Sequence, residues 1–274
     1  MTEVSVLGLG LGAIVGLILA LAGAGGGILA VPLLVFGLHL TIMQAAPVGL
    51  IAVGAASAIG AVLGLREGLV RYRAAALIGI TGMVLAPLGV RLARLIPNAP
   101  LMVAFSLVLA WVAVRMFKQA GRGSDTNGEH QAKQLPCVLD PAEGRLIWTM
   151  PCAWAMAGTG AVSGVLSGLL GVGGGFVIVP SLTRYTDLAV RSIFATSLAV
   201  IALVSVGGVS AAAWQGAIAW NIALPFAFGA IVALLAGRLI ASRLAGARLQ
   251  QGFAVTSAAV SILLLARGMG WIAG

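Results

Sequence analysis

The chain has 274 residues, of which 61 % are hydrophobic and only 8 % charged, with a mean hydropathy of +1.11. A water-soluble core with a wettable surface does not reach such values, so the lipid bilayer is this protein's solvent. The net charge of +9, from 16 basic and 7 acidic residues, would suggest nucleic acid in a soluble chain. Here the basic residues stand singly at the ends of apolar runs, which is how topology signals are written, and nucleic acid is excluded as a partner.

The N-terminal stretch MTEVSVLGLGLGAIVGL lacks the basic region and small-residue cleavage pattern of a signal peptide, so its apolar run reads as a retained span. Apolar runs then predict membrane segments at Val4–Ala22, Ile28–Leu38, Met43–Leu65, Ala74–Ile96 and Leu101–Phe117. The second is too short to cross a bilayer alone at about 1.5 Å per residue, so it either extends through the preceding glycines or is re-entrant. A polar tract with KQAGRGSDTNGEHQAKQLP at its heart reads as an exposed linker. Beyond it the pattern returns at Ile147–Leu170, Phe176–Thr183, Ile193–Ala213, Ala217–Leu239 and Leu249–Leu265. The expected organisation is a first transmembrane repeat over residues 1–118, a linker over 119–145 and a second repeat over 146–274.

The repeat is explicit in the residues. GLILALAGAGGGILAVPLL from Gly16 is written again, 148 residues later, as GVLSGLLGVGGGFVIVPSL from Gly164. Gly16, Leu21, Gly23, Gly25, Gly26, Gly27, Val31, Pro32 and Leu34 each meet an identical residue, and the offset continues without a gap through Ser57 and Ser205, Gly68 and Gly216, and Phe105 and Phe253. Three adjacent glycines oppose an unbroken helix, since each costs about 1 kcal/mol relative to alanine. Pro32 and Pro180 then fall within the first turns of whatever restarts. The expectation is therefore a helix, an opened glycine loop at membrane depth, and a short helix whose N-terminus faces that loop. Freed backbone groups at that depth are tolerated where they line a cavity, and a helix N-terminus suits an anion.

Charge relates the two halves. Arg66, Arg71 and Arg73 occupy a loop whose counterpart, WQGAIAWN from Trp214, is uncharged, whereas Arg184, Arg191, Arg243 and Arg248 lie in loops of the second half. With five segments per half, these residues and linker residues Lys118, Arg122, Lys133 and Arg145 fall on one side, the cytoplasmic one. The predicted fold is an all-α polytopic membrane protein of two inverted repeats with about five segments each, both termini periplasmic. Arg91 and Arg94 fall on the outer side against the rule, which makes them an objection or functional residues.

Polar residues inside the runs are few. Gln44, Ser57, Ser192, Thr196, Ser197 and Ser205 are neutral donors able to hold an anion without a buried charge, although Ser57 and Ser205 read equally as hydroxyls that bond to their own helix carbonyls or bridge helices. The substrate-site expectation is Gly25, Gly26, Gly27, Gly173, Gly174 and Gly175, assisted by Thr196, Ser197 and Gln44. The ladders Gly8, Gly12, Gly16 and Gly160, Gly164, Gly168 read as helix-packing faces. No carboxylate lies within a run, which argues against a cation pathway. His39 reads as a solvated interfacial group, with carriage of a coupling proton as its other reading, Arg191 as a topology determinant or else a residue that draws in an anion, and Trp111, Trp148, Trp214, Trp220 and Trp271 as interface anchors. Cys137 and Cys152 share no metal-ligand spacing and read as two inert thiols. No catalytic constellation, metal site or cofactor motif is present, and a dinucleotide fingerprint fails at Ile28.

At GAGGGILAVPLL, GVGGGFVIVPSL, the ATSL of Ala195 to Leu198 and the G-x-I-x-W of Gly216 to Trp220, the chain resembles the TauE/SafE family of sulfite and organosulfonate exporters. The resemblance implies a bacterial inner-membrane permease for sulfur-containing anions such as sulfite, thiosulfate or sulfoacetate. The first half departs from the pattern, with Val48 and Gly49 where the second has Thr196 and Ser197. The combined expectation is a secondary transporter with a small anionic substrate, with an uncoupled anion channel and a non-transporting scaffold as the other readings. The oligomeric state, a homodimer included, is left open.

Overall fold

The computed structural model describes residues 2–121, 137, 149–244 and 247–269. The linker between residues 122 and 145 apart from Cys137, and Trp148 and Trp271, lie outside the described residues, as do the side chains of Lys118, Arg243 and Arg248. Among the described residues the architecture is all-helical. It runs α1 Thr2–Ala22, a 3₁₀ helix Gly23–Leu29, α2 Ala30–Gly37, α3 Ile42–Arg66, α4 Tyr72–Leu95, α5 Asn98–Gly121, α6 Met150–Leu170, α7 Gly175–Tyr185, α8 Val190–Trp214, α9 Trp220–Leu244 and α10 Ala247–Gly268. Six of these helices are long and apolar enough to cross a membrane, with shorter apolar pieces beside them.

Helix ends follow local chemistry. Thr41 and Gln44 form a capping box that starts α3, each accepting from the other's backbone amide. Thr149 accepts from the Cys152 amide to start α6. The long helices α3 and α8 stop the same way, at Gly68 and Gly216, whose positive φ lets the Leu69 and Ala217 amides turn back onto the carbonyls of Gly64 and Ala212.

Packing follows the small-residue ladders. Gly12 and Gly16 lie directly on the backbone of Phe226 and Ala230, so α1 runs parallel to α9. Gly160, Gly164 and Gly168 lie in the same way on Ile78, Gly82 and Ala86, so α6 runs parallel to α4. A Cβ at these glycines would overlap a neighbouring carbonyl, so the ladder is what lets the backbones approach. The helices α3 and α8 instead run antiparallel, with Leu50 against Gly208, Gly54 against Ser205, Gly60 against Leu198 and Gly64 against Ala195. Shifting the numbering by 148 exchanges α1 on α9 for α6 on α4 and reverses α3 against α8. A two-fold axis crossing the α3–α8 contact produces that exchange.

The chain path defines two faces. At one, α1 starts beside the start of α9, and α10 ends against Ala99 and Met102 at the start of α5; this is the termini face. At the other, α6 starts and α7 ends; this is the linker face. Cys137 pairs there with the Tyr185 carbonyl through its amide and with Cys152 through a disulfide. The two cysteines are therefore bonded and fully buried, not the inert thiols expected from their spacing. They stand 15 positions apart in sequence, and the return of α7 beside the start of α6 brings them together.

Candidate functional site

Both glycine triplets interrupt a helix, but they do so differently. In the second copy α6 ends at Gly171 in the left-handed conformation, and Gly173 and Gly174 also have positive φ, at +74° and +71°. The chain drops back along α6 until the Gly174 carbonyl accepts from the Ser163 hydroxyl at 3.3 Å, and α7 then returns to the linker face. The 11 residues of α7 cover about 16 Å, half a bilayer, so α7 is a re-entrant piece starting at depth. Its N-cap is Gly174, which supplies no side-chain acceptor, so the first amides of α7 are left uncapped by any side chain.

The first copy does not open. It winds as a 3₁₀ helix of seven residues from Gly23 to Leu29 and continues into α2. Of its glycines only Gly23 has positive φ; Gly25, Gly26 and Gly27 stay right-handed. The expected loop and free N-terminus are therefore absent here, because a 3₁₀ run engages its amides through i to i+3 bonds. Seven residues is long for that geometry, in which side chains eclipse every third position, and the glycines are what make it tolerable.

The two interruptions meet in the middle of the protein. A Cβ on Gly27 would lie 3.3 Å from the Val172 carbonyl oxygen and 2.9 Å from Val53, and one on Gly173 would lie 3.3 Å from the same Val53 and 2.7 Å from Ile201. Val53 and Ile201 are themselves equivalent under the 148 offset and stand near the centres of α3 and α8. The triplets thus share one layer of side chains at the crossing of the two longest buried helices.

Hydroxyls near this layer are unusual. Elsewhere Thr81, Ser106, Thr159, Thr183 and Ser210 donate to carbonyls of their own helices. Ser57, Ser167, Ser197 and Ser205 do not, and neither does Ser257 on α10: their oxygens are buried with no partner among the described residues. Ser57 and Ser205 lie one turn from Val53 and Ile201, and Ser205 rests on Gly54. The expected bonds to own-helix carbonyls are absent at this pair, while the contact of Ser205 with Gly54 agrees with the other reading, a bridge between helices.

The remaining expected site residues are placed elsewhere. Gln44 is exposed in its capping box on the termini face. The Thr196 hydroxyl accepts from the Arg71 amide at 3.1 Å, tying α8 to the start of α4 on the linker face, where Ser192 also donates to the Leu69 carbonyl. Ser197, beside Thr196, is fully buried and unengaged. His39 is exposed between α2 and α3. No group of His, Cys, Asp or Glu able to hold a metal occurs among the described residues.

A cavity opens on the termini face between α3, α4, α6 and α8, lined by Ala46, Leu50, Arg94, Gly171, Gly208 and Ala212 among others. Its volume of about 20 Å³ admits one water-sized group, so any larger solute requires the helices to part.

Comparison with known proteins agrees with this architecture. Two proteins from strains of Xylella fastidiosa, each named "Probable membrane transporter protein", are 28 % and 29 % identical over 94 % of both chains. A protein of the same description from Methanocaldococcus jannaschii is 30 % identical over 72 % of this chain and 68 % of its own. No solved structure matches. The profile described as "Sulfite exporter TauE/SafE" matches residues 8–264, nearly the whole chain, and the protein therefore belongs to the TauE/SafE family of membrane transporters.

Proposed function

We propose that this transporter moves a small sulfur-containing oxyanion, such as sulfite, thiosulfate, sulfoacetate or a related sulfonate, across the inner membrane by alternating access between two inverted repeats. The observation that carries the reading is the meeting of the two interrupted helices against Val53, with the uncapped start of α7 at that depth. The anion is held by backbone amides around Gly173, Gly174 and Gly175, with Gly25, Gly26 and Gly27 opposite and Ser197 nearby; Thr196 and Gln44 act at the two faces instead. Neutral donors suit this task, because a buried cation would itself have to be desolvated. The antiparallel contact of α3 and α8, equivalent helices of the two halves, supports an inverted arrangement, and the basic residues of the linker face support a cytoplasmic linker with periplasmic termini.

The test is a thermal-shift panel on detergent-purified protein with sulfite, thiosulfate, sulfoacetate, taurine, sulfate and carboxylates, followed by flux into proteoliposomes. A ligand at about 100 times its Kd stabilises the native state by about 2.7 kcal/mol. Stabilisation and saturable, gradient-dependent uptake of a sulfur anion are expected. Stabilisation by carboxylates alone would overturn the substrate class, and unsaturable flux would replace the carrier with a channel.

A further inference from the structure

The cavity on the termini face has a counterpart, found by shifting its lining by 148 residues, and the two ends differ. Ala46, Leu50, Gly171, Gly208 and Ala212 map to Phe194, Leu198, Gly23, Gly60 and Gly64. On the linker face that space is filled. The Phe194 ring packs on Gly23, close enough that a Cβ there would lie 2.9 Å from it, and Leu198 packs equally closely on Gly60. Arg238 reaches over to the Gly60 carbonyl at 3.4 Å and to Glu67 at 2.7 Å. On the termini face alanine stands where Phe194 would be, and the lining includes an exposed arginine.

That arginine is Arg94. Among the described residues its guanidinium bonds only the Gln215 main-chain carbonyl, at 3.0 Å, and it forms no ion pair. The carboxylates whose side chains are described, Glu67 and Asp187, both stand at the linker face. The side-chain oxygen of the same Gln215 is buried with no hydrogen-bond partner among the described residues. A guanidinium has five donors in a planar fork matched to an oxyanion, so four have no acceptor among the described residues.

We propose that the cleft beneath Arg94 is the anion's docking site on the termini face, with Arg94 as the recruiting residue above the central glycine layer. This rests on the transporter reading and extends it. The anion docks first on the free edge of the guanidinium; Gly171, at the floor, joins the cleft to the Val172–Gly173 turn. The local excess of positive charge raises the concentration of anions at the mouth and repels cations. It also accounts for Arg94 on a face where topology signals disfavour it. The filled counterpart keeps the other end shut, so the anion arrives from one side at a time.

The test reads local charge before transport. Native Cys137 and Cys152 are bonded, so a cysteine introduced at the cleft as Ala217→Cys, or at its rim as Met43→Cys, is the sole free thiol among the described residues. Its reaction rates with a negatively charged and a positively charged methanethiosulfonate are compared, with methanesulfonate as competitor. The anionic reagent is expected to react about tenfold faster relative to the cationic one, and Arg94→Gln to remove most of that preference while Arg94→Lys keeps it. Methanesulfonate is expected to slow the reaction only when position 94 is basic. In proteoliposomes Arg94→Gln is expected to raise the KM for sulfite several-fold with little change in kcat. An unchanged rate ratio and KM in Arg94→Gln, with wild-type flux intact, would overturn the docking site while leaving the transporter reading standing. Charge preference and protection without any wild-type flux would do the opposite.

Discussion

Glu67 and Arg238 meet at 2.7 Å across the linker face, joining the end of α3 to the end of α9. Their counterparts at the 148 offset are Gln215 and Val90, which cannot form an ion pair, and Arg94, one turn beyond Val90, reaches the Gln215 carbonyl instead. The two ends of one duplicated framework are therefore latched unequally, by a charge pair at the filled end and by a single neutral acceptor at the end with the cleft.

Breaking the charge pair should move the conformational balance more than it moves stability. Both side chains are partly exposed, 34 % for Arg238 and 52 % for Glu67, so the pair contributes at most about 1 kcal/mol to folding. Glu67→Gln is expected to leave the thermal midpoint within a few degrees of wild type. A cysteine at Leu198→Cys should then become several-fold more reactive to thiol reagents. No change in its reactivity would remove the pair from any gating role.

The glycines of the two triplets are not equivalent in what they tolerate. Gly174→Ala forces a Cβ onto Ser163 at a φ of +71°, and Gly26→Ala meets the backbone of Ile18 and Leu19 at 2.8–2.9 Å. Gly25→Ala meets nothing within 4 Å and has no positive φ. Gly174→Ala is expected to cost about 1–3 kcal/mol, visible as a lower melting temperature. Gly25→Ala should keep wild-type stability, so any loss of anion flux in it reports on the site itself.

The unpartnered serines give a sharper separation of stability from function. A buried hydroxyl with no acceptor costs about 1–3 kcal/mol, so Ser57→Ala and Ser205→Ala are each expected to be neutral or stabilising in ligand-free protein. If these hydroxyls complete the anion's shell, the same variants should raise the KM for sulfite several-fold. Unchanged flux in the double variant would assign them to the α3–α8 contact alone.

The disulfide allows a check on orientation. Cysteine pairs are kept reduced in the cytoplasm, and the proposed orientation, with basic residues on the inner side, puts the linker face there. Acid quenching of growing cells, denaturation and then alkylation with a mass-shifting maleimide should therefore find the buried Cys137 and Cys152 as thiols, which otherwise oxidise to the bond after lysis. Oxidised cysteines in growing cells would turn the protein over in the membrane.

Placing the helices required only the sequence. The apolar runs expected from Met43 to Leu65 and from Ile193 to Ala213 became α3 and α8 within a few residues, because a span that must satisfy every backbone bond internally has one regular solution. The repeat, the packing role of Gly12, Gly16, Gly164 and Gly168, and the break at Gly173 were equally legible, since each is a local property of residue type and spacing. What the tertiary structure decided were the things that depend on which surface lies across from a residue. Nearly identical glycine motifs gave a 3₁₀ helix in one half and an opened turn in the other. Thr196 was drawn to the Arg71 amide, and Cys137 to Cys152, by partners distant in sequence or beyond a polar linker. Phe194 filled one end while Ala46 left the other open, because a duplicated backbone fixes equivalent positions and the side chains at those positions then diverge.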